Sequence, residues 1–133
     1  MKRRNTLPMY ILAFVLSSLL LVGCGVDCSW FGEGQAWIDE NENGIWDAGE
    51  SPLPGVSMSV QDLRNDVDGE GGETGADGKV NLSLFIPGCM RVTIEVSATA
   101  PSGYRSTTEE EVRVGRSDDE IEIVRFGFVP VEE

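Results

Sequence analysis

The chain has 133 residues, no histidine, and 23 acidic against 10 basic side chains, which give a formal net charge of −13. This length suits one small domain. So acidic a surface repels nucleic acid phosphates and anionic lipid, and it attracts cations. The absence of histidine removes the commonest general base and the commonest zinc ligand. We therefore expect neither a nucleic acid partner nor an enzyme, although paired carboxylates are the set that a glycosidase would use.

The first 23 residues have the pattern of an export signal. The basic start "MKRRNT" precedes an apolar run, residues 7–22, and then the small residues of "GCG". This order is typical of a secretory signal peptide, and the run is too short and too interrupted for a spanning helix. An uncleaved N-terminal helix is the alternative. Residues 21–24, "LVGC", resemble a bacterial lipobox, which implies that Cys24 becomes the first mature residue and carries a lipid anchor.

The mature chain would then consist of a tether, residues 24–33, and a domain, residues 34–133. Loss of the three basic residues in the signal leaves seven basic and 23 acidic side chains, a net charge of about −16. With Cys24 lipidated, Cys28 and Cys89 remain as a pair in a compartment where disulfides persist. We predict a disulfide between them, the alternative being two unrelated buried thiols. The expected protein is an extracytoplasmic monomer whose partner is the membrane, through the lipid on Cys24.

The mature chain consists of short alternating segments separated by turn residues. Strands are predicted at residues 35–39, 56–63, 79–86, 89–98, 110–115 and 120–131. Proline and glycine turns separate several of them, an acidic connector covers residues 64–78, and residues 117–120 are predicted to be a plain turn. No mature stretch has a helical period over three turns. The pattern indicates an all-β fold, a β-sandwich of six or seven antiparallel strands.

One acidic loop, "DENENGIWDAGE" at residues 39–50, fits the calcium-loop pattern D-x-[DN]-x-[DN]-G-x₅-E. The predicted ligands are the side chains of Asp39, Asn41, Asn43, Asp47 and Glu50 and the backbone carbonyl of Ile45. Many oxygen ligands in a flexible ring favour Ca²⁺ over Mg²⁺. The prolines that follow the loop prevent a helix there, so we expect a rigid clamp between strands, with Trp46 anchoring it on the core. A solvated acidic hairpin is the alternative.

A second acidic cluster lies in the connector. Asp66, Asp68 and Glu70 occupy alternating positions there. They lack a full ligand register, so a flexible acidic loop competes with a second, weaker Ca²⁺ site.

Four segments, in this order, resemble a known family: "AWIDENENGIWDAGESPLPGVSMSVQD", "TGADGKVNLSLFIPGCMRVTIEV", "APSGYRST" and "FGFV". Over residues 34–129 they are similar to the B-type domains of the serine-aspartate repeat (Sdr) surface adhesins, within the Cna B-like, prealbumin-like domains. The resemblance implies a seven-stranded Greek-key β-sandwich that binds Ca²⁺ through the loop ligands and acts as an extracellular spacer or adhesive module. Some Cna B-like domains form a Lys–Asn isopeptide bond. We expect none here, because the one mature lysine, Lys79, lies in a turn.

These observations favour a lipid-anchored, calcium-binding module with a structural or adhesive role at the cell surface. The alternative is a recognition domain for a carbohydrate or a peptide, whose partner would be a cell-surface glycan or protein. Trp30, Phe31 and Tyr104 are its candidate platform. The same aromatic side chains would serve equally well as core or rim packing.

Overall fold

The computed structural model describes residues 25–116 and 120–132. The strands in this part of the chain are β1 (Cys28–Ile38), β2 (Ser57–Asp62), β3 (Val67–Asp68), β4 (Gly72–Glu73), β5 (Lys79–Ile86), β6 (Ile94–Thr99), β7 (Tyr104–Ser106), β8 (Glu111–Val114) and β9 (Glu122–Pro130). The predicted signal peptide, Cys24 and most of the predicted turn at 117–120 lie outside the described residues. Within them, no helix has the length and apolar character needed to cross a membrane.

The strands form two sheets. One sheet has the order β5-β1-β9-β7, and the other has the order β3-β2-β6-β8 with β4 also beside β2. The predicted all-β sandwich is therefore confirmed, and β3 and β4 are two-residue additions to it. The prediction of purely antiparallel pairing is wrong at one place, because β1 and β9 run parallel. These two strands come from opposite ends of the domain, so no hairpin forces them to be antiparallel.

The core lies between the two sheets and is filled by alternate residues of the strands. In β5 the predicted alternation is confirmed, since Leu82, Leu84 and Ile86 are buried. From β9, Phe126 and Phe128 are buried on the same side. Each such side chain contributes about 1.5–3 kcal/mol when fully buried. The alternating apolar residues that the sequence showed are thus the side chains whose burial holds the two sheets together.

The first strand is longer than predicted. It begins at Cys28, and its pairs with β5 run from Cys28 opposite Ile86 to Gln35 opposite Lys79. Residues 28–33 therefore belong to the sheet and are not a tether. The glycines in and beside this segment suggested flexibility, but Gly32 and Gly34 are buried where the chain packs against other side chains.

The disulfide between Cys28 and Cys89 is confirmed, with 4.9 Å between the two Cα atoms. It joins the first residue of β1 to a short 3₁₀ turn, Pro87–Cys89, that follows β5. The strand predicted to start at Cys89 begins only at Ile94, since the cysteine is held in the turn against β1. With a sequence separation of 61 between its cysteines, the bridge stabilises the fold by about 4 kcal/mol on the chain-entropy model.

A further strand was not predicted. Residues 104–106 form β7, which pairs with the end of β9 from Tyr104 opposite Pro130 to Ser106 opposite Phe128. Three residues are too few for an alternating pattern to be visible in the sequence. This short strand matters because it leads directly into the residues that contact the acidic loop.

Candidate metal centre

The acidic loop, residues 39–50, lies at the end of β1 that is far from the disulfide. Both of its ends are fixed by backbone hydrogen bonds. The amide of Ile38 donates to the carbonyl of Ser51 over 2.8 Å, and the amide of Asp39 donates to the carbonyl of Phe128 over 2.8 Å. The loop is therefore tied to β1 and β9 and is not a free hairpin.

Asp39 is the centre of the loop, and its side chain is fully buried. One carboxylate oxygen accepts a hydrogen bond from the amide of Asn43 (3.1 Å). The other accepts hydrogen bonds from the amide of Gly44 (2.9 Å) and from the hydroxyl of Thr107 (2.6 Å). A buried carboxylate is very costly unless donors surround it. These three donors hold the turn of the loop around Asp39.

Two asparagine side chains meet at Asp47. The amide nitrogens of Asn41 and Asn43 both donate to Oδ2 of Asp47, at 2.9 and 2.7 Å. The bond from Asn41, and then the bond from Asn43, lowers the pKa of Asp47. The two Oδ1 atoms accept backbone amides instead, that of Asn43 for Asn41 and that of Ile45 for Asn43. These are the local turns that asparagine side chains favour.

Glu50 closes the loop on itself. Its Oε1 accepts a hydrogen bond from the amide of Glu40 (3.1 Å), and its Oε2 accepts one from the amide of Asp47 (2.9 Å). The carbonyl oxygen of Ile45 accepts no hydrogen bond from any residue that the structure describes. Ile45 is thus the candidate ligand whose oxygen has no competing donor in the described chain.

Two contacts outside the ligand set hold the loop on the domain. The ring of Trp46 stacks on that of Trp37, with 5.9 Å between centroids and 7° between planes, which is the anchoring expected of Trp46. On the exposed side, Arg105 of β7 donates to Glu42 over 2.8 Å. The loop therefore packs against β1 on one side and β7 on the other.

Thr107 and Gly127 belong to this site although sequence reasoning did not find them. Thr107 is 68 residues from Asp39 in the chain, so no local pattern connects the two. A Cβ at Gly127 would lie 2.6 Å from Oγ1 of Thr107 and 3.2 Å from Cβ of Asp39. Only glycine allows the three to approach so closely. The "FGF" motif supplied a signal for Gly127, because its two phenylalanines fill the core on either side.

The chemistry of the donor set fits a calcium ion, but the arrangement in the structure is a hydrogen-bonded one. In residues 25–116 and 120–132, no three acidic or thiol side chains form a group that would hold a metal ion. The carboxylates of Asp39, Asp47 and Glu50 each face N–H donors. Rotation of the terminal amide of an asparagine side chain by about 180° exchanges the positions of its nitrogen and oxygen atoms. In Asn41 and Asn43 this rotation would direct two further oxygens towards the carboxylate of Asp47. Calcium binding at the loop stays a prediction.

The second acidic cluster is spread over the edge of the sandwich. Asp66 accepts a long hydrogen bond from Gln61 (3.5 Å), whereas Glu70 accepts one from Ser83 of β5 (3.3 Å). Asp68 lies between them in β3, opposite Gln61. Part of the segment is strand, not the flexible loop considered above. The second calcium site stays a prediction.

Lys79 is the first residue of β5, as the strand predicted at 79–86 has it, and it directly follows the turn in which the isopeptide argument placed it. Its Nζ lies 3.2 Å from Oε1 of Glu33, and its side chain is half-exposed. Glu33 also accepts a hydrogen bond from Gln35 (2.6 Å). This bond, with the contribution of Lys79, outweighs desolvation and lowers the pKa of Glu33. The lysine is thus engaged in a surface ion pair at this strand end.

Comparison with protein families decides the identity of the domain. The model of the SdrD B-like domain matches residues 32–125. The chain belongs to the SdrD B-like domain family. Two solved structures share its fold. The shaft pilin SpaA from Lactobacillus rhamnosus GG is 16% identical with a TM-score of 0.56, and the minor pilin GBS52 from Streptococcus agalactiae is 15% identical with a TM-score of 0.53.

Each alignment covers 79% of this chain but only 51% of SpaA and 46% of GBS52. The chain thus spans about half the length of these pilins, and at this identity the likeness concerns the fold. Comparison with curated protein sequences gives no match. The family predicted from the ordered motifs is confirmed, and the sandwich of this SdrD B-like domain is the one expected of a Cna B-like domain.

Substitution of Thr107 tests whether the buried carboxylate depends on its distant donor. Thr107→Val keeps the shape but removes the hydroxyl, so we expect the free energy of unfolding to fall by about 1–3 kcal/mol in the presence of chelator. Denaturant unfolding followed by tryptophan fluorescence would measure it. Thr107→Ser is the matched control, because it keeps the donor. Equal stability of the Val and Ser variants would contradict the assigned role.

Proposed function

We propose that this SdrD B-like domain is a calcium-stabilised β-sandwich module at the cell surface, held to the membrane by a lipid on Cys24, with a structural or adhesive role and no enzymatic one. The observation that supports this proposal most strongly is the loop at residues 39–50. Its buried Asp39 connects the end of β1 to Thr107 and, through Gly127, to β9. A cation bound here would stabilise several strands at once.

The loop residues would hold the ion through oxygen atoms only. Asp39, Asp47 and Glu50 would supply negative charge, the amides of Asn41 and Asn43 would turn their oxygens inward, and the carbonyl of Ile45 would complete the set. The ion supplies charge neutralisation, and no chemical step is involved. A ligand that binds only the folded state stabilises it by RT ln(1 + [L]/Kd), which is about 2.7 kcal/mol at a hundredfold excess over Kd.

Several observations support a location outside the cytoplasm. The disulfide between Cys28 and Cys89 is of the kind that persists in oxidising compartments. The solved structures with this fold are described as pilins of Gram-positive bacteria, and the family is that of a surface-adhesin domain. The sequence before Cys24 has the order of a lipoprotein signal. Because β1 begins at Cys28, an anchor at Cys24 would hold the sandwich close to the bilayer.

A recognition role is the second candidate, and one observation favours it. Trp30 is buried, and Tyr104 is half-buried and packed against the core, so neither offers an open aromatic face. Phe31 of β1 is 59% exposed, and Phe85 of the neighbouring β5 is 57% exposed. Both project from the outer face of the same sheet. Such a pair would contact an apolar peptide side chain or the face of a sugar ring.

Phe31→Ala/Phe85→Ala tests the recognition role against arrays of glycans and peptides. We expect a ligand of the wild-type domain to lose binding in the double variant, because both aromatic faces are removed. Val131→Ala, which also removes an exposed apolar side chain, is the control. Retained binding by the double variant would exclude these phenylalanines as the platform.

Calorimetric titration with Ca²⁺ tests the clamp. For residues 25–133 we expect about one site, with Kd on the order of 10⁻⁴–10⁻³ M, and a melting temperature that rises from chelator to excess calcium. Asp47→Ala/Glu50→Ala should abolish both effects while leaving buried Asp39 in place. No heat of binding and an unchanged melt in the wild type would leave the loop as a solvated acidic hairpin.

The control for this titration carries the same change of charge elsewhere. Asp66→Ala/Asp68→Ala also removes two carboxylates, so general electrostatic attraction of calcium would weaken equally in both double variants. A specific loop predicts that the control binds as the wild type does. A drop in stoichiometry in the control would instead reveal a second site at these residues.

Lipidation is tested on the full chain. When it is expressed in a bacterial host with radiolabelled palmitate, we expect label on the wild-type protein and none on Cys24→Ser, because the thiol at residue 24 is the proposed acceptor. Cys28→Ser/Cys89→Ser, which keeps Cys24, should still be labelled. Label that persists in Cys24→Ser would place the anchor elsewhere, and its absence from the wild type would exclude a lipid anchor.

A further inference from the structure

Two arginines of this acidic domain differ from its other basic side chains in their contacts. Most positive side chains in the described residues have partners. Lys79 and Arg113 lie within 3.5 Å of glutamate oxygens, and Arg105 lies within 2.8 Å of one. Arg125 donates to Gln35 over 3.0 Å, and Arg116 also has an interaction partner. Arg64 and Arg91 form no ion pair with any residue that the structure describes. In a chain with 23 acidic side chains, these two arginines lack a carboxylate partner among the described residues and are candidates for binding an anion.

These arginines line the same surface cavity. It has a volume of about 320 Å³ and is lined by Arg64, Cys89, Met90, Arg91, Val92 and Arg116. Because Cys89 is bonded to Cys28, the cavity lies beside the first residue of β1. We call this end of the sandwich the disulfide end. The fold brings Arg64, in the turn after β2, and Arg91, in the turn before β6, to this one cavity.

The disulfide end is remote from the acidic loop. The 11 residues of β1 make ten steps of about 3.3 Å, which separate the two ends by roughly 33 Å. Charges of exposed groups are screened over about 8 Å at physiological ionic strength. The loop therefore does not cancel the positive charge of the cavity, despite the large negative charge of the whole domain.

Two acidic side chains near the cavity are held by other donors. Asp62 is buried, and burial raises its pKa, but hydrogen bonds from Thr93, Asn65 and the amide of Arg64 outweigh this and leave the pKa lowered. Asp27 accepts the amide of Gly88 over 2.9 Å. Asp62 thus organises the backbone that carries Arg64, and neither carboxylate pairs with the guanidinium groups.

Apolar side chains are exposed at the same end. Met90 lines the cavity and is 46% exposed, Leu63 precedes Arg64 and is 38% exposed, and Val26 is 67% exposed. Arginines beside exposed apolar tips are the composition of surfaces that lie at a lipid interface, where the charge meets phosphate and the apolar groups enter the headgroup layer. Guanidinium groups bind phosphate oxygens in a bidentate manner.

From this juxtaposition we propose that the disulfide end is a docking surface for the phosphate groups of membrane lipids, with Arg64 and Arg91 as the anion-binding side chains. The chain supplies the reason for a bilayer as the occupant. An apolar run at residues 7–22 ends just before Cys24, four residues from the start of β1. The orientation rests on the membrane anchor proposed above. Docked this way, the domain directs its acidic loop away from the bilayer.

Vesicle sedimentation tests this surface without the anchor. Residues 25–133 carry both sheets and the disulfide, so they are mixed in chelator with phosphatidylcholine vesicles containing phosphatidylglycerol. We expect sedimentation with the vesicles, an apparent affinity lowered more than about tenfold in Arg64→Glu/Arg91→Glu, and a smaller loss in Met90→Asp. Lys79→Glu/Arg113→Glu makes the same change of charge outside the cavity and should bind as the wild type does.

Each other result overturns the proposal. Absence of wild-type sedimentation, or equal loss in both charge-reversed double variants, would exclude a specific lipid surface. If inorganic phosphate displaces the domain from the vesicles at millimolar concentration, the cavity is a site for free phosphate. Because neither calcium nor the lipid on Cys24 is present, failure here is distinct from failure of the clamp or of palmitate labelling.

Discussion

The buried carboxylate of Asp39 is the constraint on which the end of the domain that carries the acidic loop depends. A charge without water must be surrounded by donors, and its donors come from two distant parts of the chain, the turn at Asn43–Gly44 and the hydroxyl of Thr107. Gly127 leaves the space in which they meet. The loop therefore cannot move independently of β9 or of the segment that follows β7.

The opposite end of β1 is fixed by a covalent bond. Cys28 is joined to Cys89, so the strand is held at its first residue by the disulfide and at its last by the network around Asp39. Between these points β1 pairs with β5 on one side and β9 on the other. A central strand held at both ends and along both edges resists being pulled out, a property that suits the proposed structural role.

How far the sequence was predictive depends on the range over which each feature is encoded. Alternation within residues 79–86 gave the bounds of β5 correctly, because packing against one core face acts residue by residue. Residues 28–33 were misread as part of a tether, because a glycine that allows close packing in a sheet cannot be distinguished by composition from one that makes the backbone flexible. The role of Thr107 could not be predicted from the sequence, because only the fold brings it close to its partner, Asp39. The loop motif identified the candidate ligands, but not their hydrogen-bonded arrangement.

The two ends of the domain carry side chains of opposite charge, and the length of β1 keeps these charges apart. Acidic side chains lie where β1 ends, and Arg64 and Arg91, which form no ion pair with a described residue, lie where it begins. Calcium at the loop would act on the junction of β1, β7 and β9 by neutralising charge. The cavity of Arg64 and Arg91 depends on turns that Asp62 and the disulfide fix locally. In the described residues, the side chains that hold the loop differ from those that hold the turns of Arg64 and Arg91. The proposed lipid contact should therefore be insensitive to calcium, even where calcium stabilises the fold as proposed.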